Sequence, residues 1–237
     1  MTGTWQQGFQ ECGSSHCQAG GSCASKESEY IGAMHLPSLR VLAVLSVTAL
    51  LSACSDEISS DEQARRAYLG LDKSVEKSLQ LGFAGFNAAS SANIPPQSTT
   101  GDAGGTLDIT GQVDQGSSAN KGMRLRVGMK GYTDGEVTVA EEEAPVEITY
   151  QTTTDAAAQP ALTLSLRDIP NGTFTGTLVG SFQMTGDIEG EVTLNLSLSG
   201  QIEDDGTGKV RRKAGSTTVT GTAKSSTGGE FQVNVTL

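Results

Sequence analysis

Between Ala64 and Phe86 apolar residues recur every three or four positions, as Ala64, Tyr68, Leu71, Val75, Leu79, Phe83 and Phe86. That spacing matches the turn of an α-helix and puts them on one stripe, while Arg65, Arg66, Asp72, Lys73, Glu76 and Lys77 fall largely elsewhere. The pattern predicts one amphipathic helix within residues 59–92. Ser59 and Glu62 have the S-x-x-E spacing of a capping box, and Asp61 and Glu62 suit the positive end of the helix dipole. Asp61 with Arg65 and Glu62 with Arg66 form exposed i,i+4 pairs, each adding only a few tenths of a kcal/mol. Gly70, Gly82 and Gly85 each cost about 1 kcal/mol relative to alanine, which predicts a bend or an end near Gly82. Asn93-Ile94-Pro95-Pro96 and the polar run to residue 104 then read as a linker, 93–104.

From Gly105 the period drops to two and stays there. Leu107, Ile109 and Val113 alternate with polar positions, and Met123, Leu125, Val127 and Met129 alternate with Arg124, Arg126 and Lys130. Further on, Phe174, Leu178, Phe182 and Met184 face Val192, Leu194, Leu196 and Leu198 across the turn Gly186–Gly190. A five-residue repeat (apolar, Ser or Thr, Gly, any, apolar) recurs at Gly111, Gly176, Gly186, Gly200 and Gly221. By alternation each of these glycines points to the apolar side, the usual mark of a bend or a close approach in a sheet. The reading is a mainly β fold: residues 105–237 form a curved antiparallel sheet or half-barrel of about eight or nine strands, with the helix on its concave side.

A second apolar run, from Val41 to Leu51, is about half the roughly 20 residues that a spanning helix needs. It follows Arg40 and ends in Leu51-Ser52-Ala53-Cys54. A basic lead, an apolar core of moderate length and small residues at the end is the layout of a secretory signal. The ending resembles the lipobox of bacterial lipoproteins. The resemblance implies that the Cys54 thiol is diacylglycerated, that the signal is cut just before it, and that the new amino terminus is acylated. Several acyl chains hold a protein on a bilayer far more firmly than one. Met34 gives this signal a short positive lead, whereas a start at Met1 puts Glu11, Glu27 and Glu29 ahead of it. Residues 1–33 are therefore expected to be an upstream extension, 34–53 the signal peptide and 54–58 a lipidated tether. Ser55 after the cysteine, in place of Asp, resembles the pattern that permits sorting to the outer membrane in enteric bacteria. The implied place is the bacterial cell envelope.

Composition narrows the chemistry. Both histidines (His16, His35), the one tryptophan (Trp5) and Cys12, Cys17 and Cys23 all precede Cys54. The chain behind the signal thus lacks imidazole and any thiol beyond Cys54, which excludes Ser-His-Asp relays, Cys-His pairs and His-bearing metal sites there. The upstream Cys12, His16, Cys17 and Cys23 match no usual zinc spacing. A formal net charge of −11 disfavours nucleic acid as a partner. No cofactor is expected. Asp204 and Asp205, in Glu203-Asp204-Asp205-Gly206-Thr207-Gly208, offer oxygen ligands to calcium but lack the spacing of an EF-hand loop, and Lys209, Arg211, Arg212 and Lys213 follow them. Glu141-Glu142-Glu143 before Pro145 reads as a turn. The expectation is a non-catalytic envelope lipoprotein, a binding or structural module for an apolar ligand or an envelope protein, held to the membrane through Cys54. The alternative is a glycan-active enzyme, since that chemistry needs only two carboxylates. Asp108, Asp114, Glu147 and Glu191, however, fall mainly on wet faces. Sparse aromatic residues disfavour a membrane β-barrel with its aromatic girdles.

Overall fold

The structure is a computed structural model that describes residues 57–138 and 144–237. Cys54 and its apolar run, the upstream cysteines, and Glu141-Glu142-Glu143 lie outside the described residues. Two helices, α1 (Asp61–Leu69) and α2 (Asp72–Ala88), precede ten strands. These are β1 (Asn93–Thr100), β2 (Gly104–Val113), β3 (Lys121–Thr133), β4 (Ile148–Gln151) and β5 (Ala161–Arg167), then β6 (Gly172–Gly186), β7 (Gly190–Asp204), β8 (Val210–Arg212), β9 (Thr218–Ser225) and β10 (Glu230–Thr236).

All the strands join one antiparallel sheet in the order β1-β2-β3-β4-β6-β7-β9-β10. β5 lies between β3 and β6, which β4 also bridges, and β8 pairs with β7. The sheet is curved and open, its two edges being β1 and β10. The hairpin of β6 and β7 has the register that its alternation implies, Met184 opposite Gly190 and Phe174 opposite Gly200, with every apolar residue named for it buried. Its outer face is hydroxylated instead. Thr163, Thr177, Ser197 and Thr220 stand in one row across β5, β6, β7 and β9.

Several strand glycines sit where no other residue fits. Gly111 in β2 and Gly221 in β9 have φ of +130° and +148°, and a Cβ on either would run into the backbone carbonyl of the adjacent strand, Arg124 or Asn195. Only glycine permits both the backbone angle and the approach. The repeat's glycines abut neighbouring strands and turns, and Gly111, Gly186 and Gly221 also take positive φ. At Gly200 a Cβ would lie 2.8 Å from the Phe174 ring and 2.9 Å from the Ser216 carbonyl.

The linker expected over 93–104 is instead β1 and its turn into β2. Proline lacks the N–H of a ladder bond, yet an edge strand has one side that needs no partner, and the β1 register shifts between Ile94 and Gln97 to accommodate Pro95 and Pro96. The helix differs in three respects. Its cap is Ser60, whose hydroxyl accepts from Gln63 N–H, while Gln63 Oε1 accepts from Ser59 N–H, so the capping motif lies one residue later than expected. Glu62 takes both Arg65 and Arg66, while Asp61 accepts from the backbone N–H of Gln232 in β10. The interruption falls at Gly70 and Leu71, and α2 continues through Gly82 and Gly85 to Ala88.

Those helix glycines are contact points. A Cβ on Gly82 would lie 2.8 Å from Met123 Sδ, and one on Gly85 2.8 Å from Ile94. At Gly70 it would overlap the hydroxyl of Tyr150. The propensity cost of glycine is offset by letting the helix backbone approach the sheet. α1 packs on β10 and α2 on β1 and β2, so the helical segment lies across the concave face from edge to edge. Tyr68, Leu71, Val75 and Leu79 from the helices join the residues of the sheet's inner face in one core.

Candidate functional site

Polar groups on opposite flanks of α2 fix how it lies. On one flank Arg212 of β8 forms a fork with Asp72, Nη1 at 2.8 Å from Oδ1 and Nη2 at 2.8 Å from Oδ2, while its Nε donates to Glu76 at 3.0 Å. Tyr68 donates its hydroxyl to the same Asp72 at 2.8 Å. Burial alone would lower the guanidinium pKa, but the hydrogen bonds and charge of Asp72 outweigh it, so Arg212 stays charged. Burial pushes the Tyr68 phenol well above its ordinary range, reinforced by Asp72. On the other flank Lys77 donates to Asp134 at 2.6 Å and to Asp102 at 2.7 Å, and Lys73 reaches Asp102 at 3.1 Å. The Asp134 side chain is fully buried and also accepts from Tyr132 at 2.5 Å and from the Asp102 N–H at 2.9 Å. Desolvation of Lys77 is outweighed by its two carboxylates, which raise its pKa, and burial followed by the Asp134 hydrogen bond raises that of Tyr132.

These carboxylates are engaged in holding α2 down. Asp134, whose side chain is fully buried, has three donors, one of them the ammonium of Lys77, which suits a structural tie rather than proton transfer. Asp108 accepts from Ser98, Asp114 pairs with Arg124, and Glu191 accepts from Gln183, all on the wet face. Glu147 is likewise exposed, its backbone N–H bonded to Asp187.

Asp204 and Asp205 sit at the tip of the hairpin between β7 and β8. Asp204 Oδ1 accepts from the N–H groups of Gly206 and Gly208, and Asp205 Oδ1 accepts from Thr207 and Lys209. Hydrogen bonds from the Thr207 hydroxyl and N–H hold the Asp205 carboxyl below its ordinary pKa. The pair thus organises its own turn, as aspartates in turns commonly do.

The concave side is filled, but one end of it is not. Where α2 ends, a groove of about 730 Å³ lies between Leu81, Phe83 and Phe86 of the helix, the turns carrying Ser117–Ala119 and Ile169, and Val210 at the start of β8. Its size is that of a small-molecule site. Lys121, the first residue of β3, lines it and is only 7% exposed. Its ammonium donates to the Gly116 carbonyl and sits 4.6 Å from the centre of the Phe86 ring. Among the described residues no carboxylate forms an ion pair with it. Sequence reasoning passed over Lys121, although the alternation that turns Met123 and Leu125 inward turns Lys121 inward too.

No family model matches this chain, and no curated protein or solved structure matches it either. No helix among the described residues is long and apolar enough to cross a membrane.

Proposed function

We propose that the protein is an envelope lipoprotein, anchored through acyl chains on Cys54, whose sheet-and-helix domain serves as a non-catalytic binding or structural module. The observation that carries this reading is the apolar run ending in Leu51-Ser52-Ala53-Cys54, directly ahead of the domain. Packing begins within a few residues of it, since Ile58 is already 3% exposed and Ser60 caps α1. A tether this short would hold the domain close to the bilayer. The concave face supports a non-catalytic role, because side chains of the helices and the inner sheet face occupy it and Asp72, Glu76, Asp102 and Asp134 beside α2 are tied to cations. Ser55 makes the outer membrane the proposed destination.

Labelling with radioactive palmitate in a bacterial host tests the anchor. The wild-type protein should take up label, resist extraction by salt and yield to detergent, whereas Cys54→Ser should remain uncut and unlabelled. Label that persisted in Cys54→Ser would refute it.

A further inference from the structure

We infer that the groove at the end of α2 is a binding site for a long-chain fatty acid, whose carboxylate meets the ammonium of Lys121. The inference develops the binding half of the proposed function and does not depend on acylation of Cys54.

Lys121 is the reason. Removing an ammonium from water is costly unless an anion or several hydrogen bonds replace the solvent. Here the chain supplies one carbonyl, the face of one ring and the charge of Asp114 beyond ion-pair distance, leaving donors of the ammonium for something else. The nearby acids are already engaged. Asp114 is held 2.8 Å from Arg124, and Asp204, which also lines the groove, accepts from the N–H groups of its own turn. A second ammonium, Lys209, lines the same groove, so the local charge favours a single anion despite the acidic surface elsewhere. Part of the wall is apolar, with Leu81, Phe83, Phe86, Ile169 and Val210, beside the polar Gln80, Asn87, Ser117 and Ser118. One negative head and a hydrocarbon tail is the ligand chemistry that satisfies both halves of this lining.

The groove lies toward the other end of β7 from Glu57, the first described residue. Glu57 lies beside Gly190 and Ser226, at the start of β7, whereas Asp204 of the groove ends that strand. The strand has 15 residues, which at about 3.3 Å each is roughly 50 Å along its path.

The test is a titration of the full-length chain carrying Cys54→Ser with the fluorescent fatty acid cis-parinaric acid, followed by displacement with oleate and with oleyl alcohol. Saturable binding of one fatty acid per chain is expected. Lys121→Met keeps the packed stem and removes the charge. It should weaken oleate about tenfold or more, the size of a lost charge-assisted hydrogen bond, and leave oleyl alcohol within about twofold. Ala84→Trp, at an exposed position on the groove wall, should abolish binding of both without changing the urea midpoint. The inference is overturned by an absence of saturable binding, by equal effects of Lys121→Met on acid and alcohol, or by displacement with two-chain phosphatidic acid in preference to oleate. Any of these would leave the labelling of Cys54 untouched.

Discussion

Replacing Gly70 by alanine sets helix propensity against packing, and the geometry decides the sign. Gly70 has helical angles, φ −62° and ψ −23°, so propensity alone would make alanine about 1 kcal/mol more stable. The added methyl would overlap the Tyr150 hydroxyl and stand 3.3 Å from two carbons of its ring. That ring is fully buried and packs edge-on against Phe182 at 6.4 Å, so it has no room to swing away. Its hydroxyl also has a task. At the break between helices the Leu71 N–H turns to the Tyr68 carbonyl, and the Ala67 carbonyl instead accepts from Tyr150 at 2.7 Å. Losing that buried bond costs about 1–3 kcal/mol. Overpacking adds about 1–3 kcal/mol. Against a gain of about 1 kcal/mol, the net expectation for Gly70→Ala is a destabilisation of about 2 kcal/mol. Urea denaturation at unchanged slope measures it. In the Tyr150→Phe background the overlap is gone, so Gly70→Ala should there be neutral or stabilising, giving a coupling of at least about 2 kcal/mol in the double-mutant cycle. If the single variant is as stable as wild type, or the two changes are additive, the close approach of helix and sheet is not what glycine provides at this position.

Arg212→Met should cost about 3 kcal/mol by leaving Asp72 and Glu76 without their cation, and Arg212→Lys should rescue little because an ammonium cannot fork; urea midpoints report both. Gly200→Val should lower the midpoint by about 1–3 kcal/mol through contact with Phe174 and the Ser216 carbonyl, while Ser199→Val on the exposed face stays near neutral; equal effects would overturn the facing of β7. Hydrogen bonds from Lys77 and Lys73 hold the Asp102 carboxyl below its ordinary 3.8. Its contribution is therefore complete above about pH 4 and is lost as pH falls through the depressed value, so Asp102→Asn should flatten the midpoint's decline below pH 4.

The sheet was legible where alternation ran unbroken. β6 and β7 keep one phase through paired apolar sets, so burial alone dictates their register. β3 does not keep phase. Gly131 adopts φ +57°, and beyond it Tyr132 turns inward out of step with Met129, so no period-two pattern reveals its tie to Asp134. β1 was hidden by Pro95 and Pro96, whose meaning depends on whether a strand is central or at an edge, and topology is not written in local sequence. The position of the helix break was similarly out of reach, because glycine propensity is blind to what the helix touches. A different signal was present on α2 and went unused. Asp72 and Glu76 are spaced i,i+4 on one flank, Lys73 and Lys77 likewise on the next, and each pair seeks charge of the opposite sign elsewhere in the fold. The candidate groove had its own sign in Lys121, a cation in phase with Met123 and Leu125.

An open sheet of this kind has two edges, and each is a template for pairing with another chain. Both edges here are dealt with by the residues that precede the sheet or begin it. β1 carries adjacent prolines and lies against α2, with Gly85 letting Ile94 close in. β10 lies against α1, and its Gln232 N–H, a backbone donor of an edge strand, is bonded at 2.8 Å by the carboxylate of Asp61 in the first helical turn. This explains why Asp61 forgoes the expected pairing with Arg65. The carboxylate is used where an unpaired edge donor would otherwise recruit a foreign strand, whereas an exposed i,i+4 pair contributes only a few tenths of a kcal/mol. Arg212 and Lys77 then prevent α2 from sliding along the concave face, because sideways motion breaks one flank or the other. Filling the concavity and contacting both edge strands are thus achieved by one helical segment. The groove lies beside the last two turns of α2, which ends at Ala88, against the turns after β2, β5 and β7.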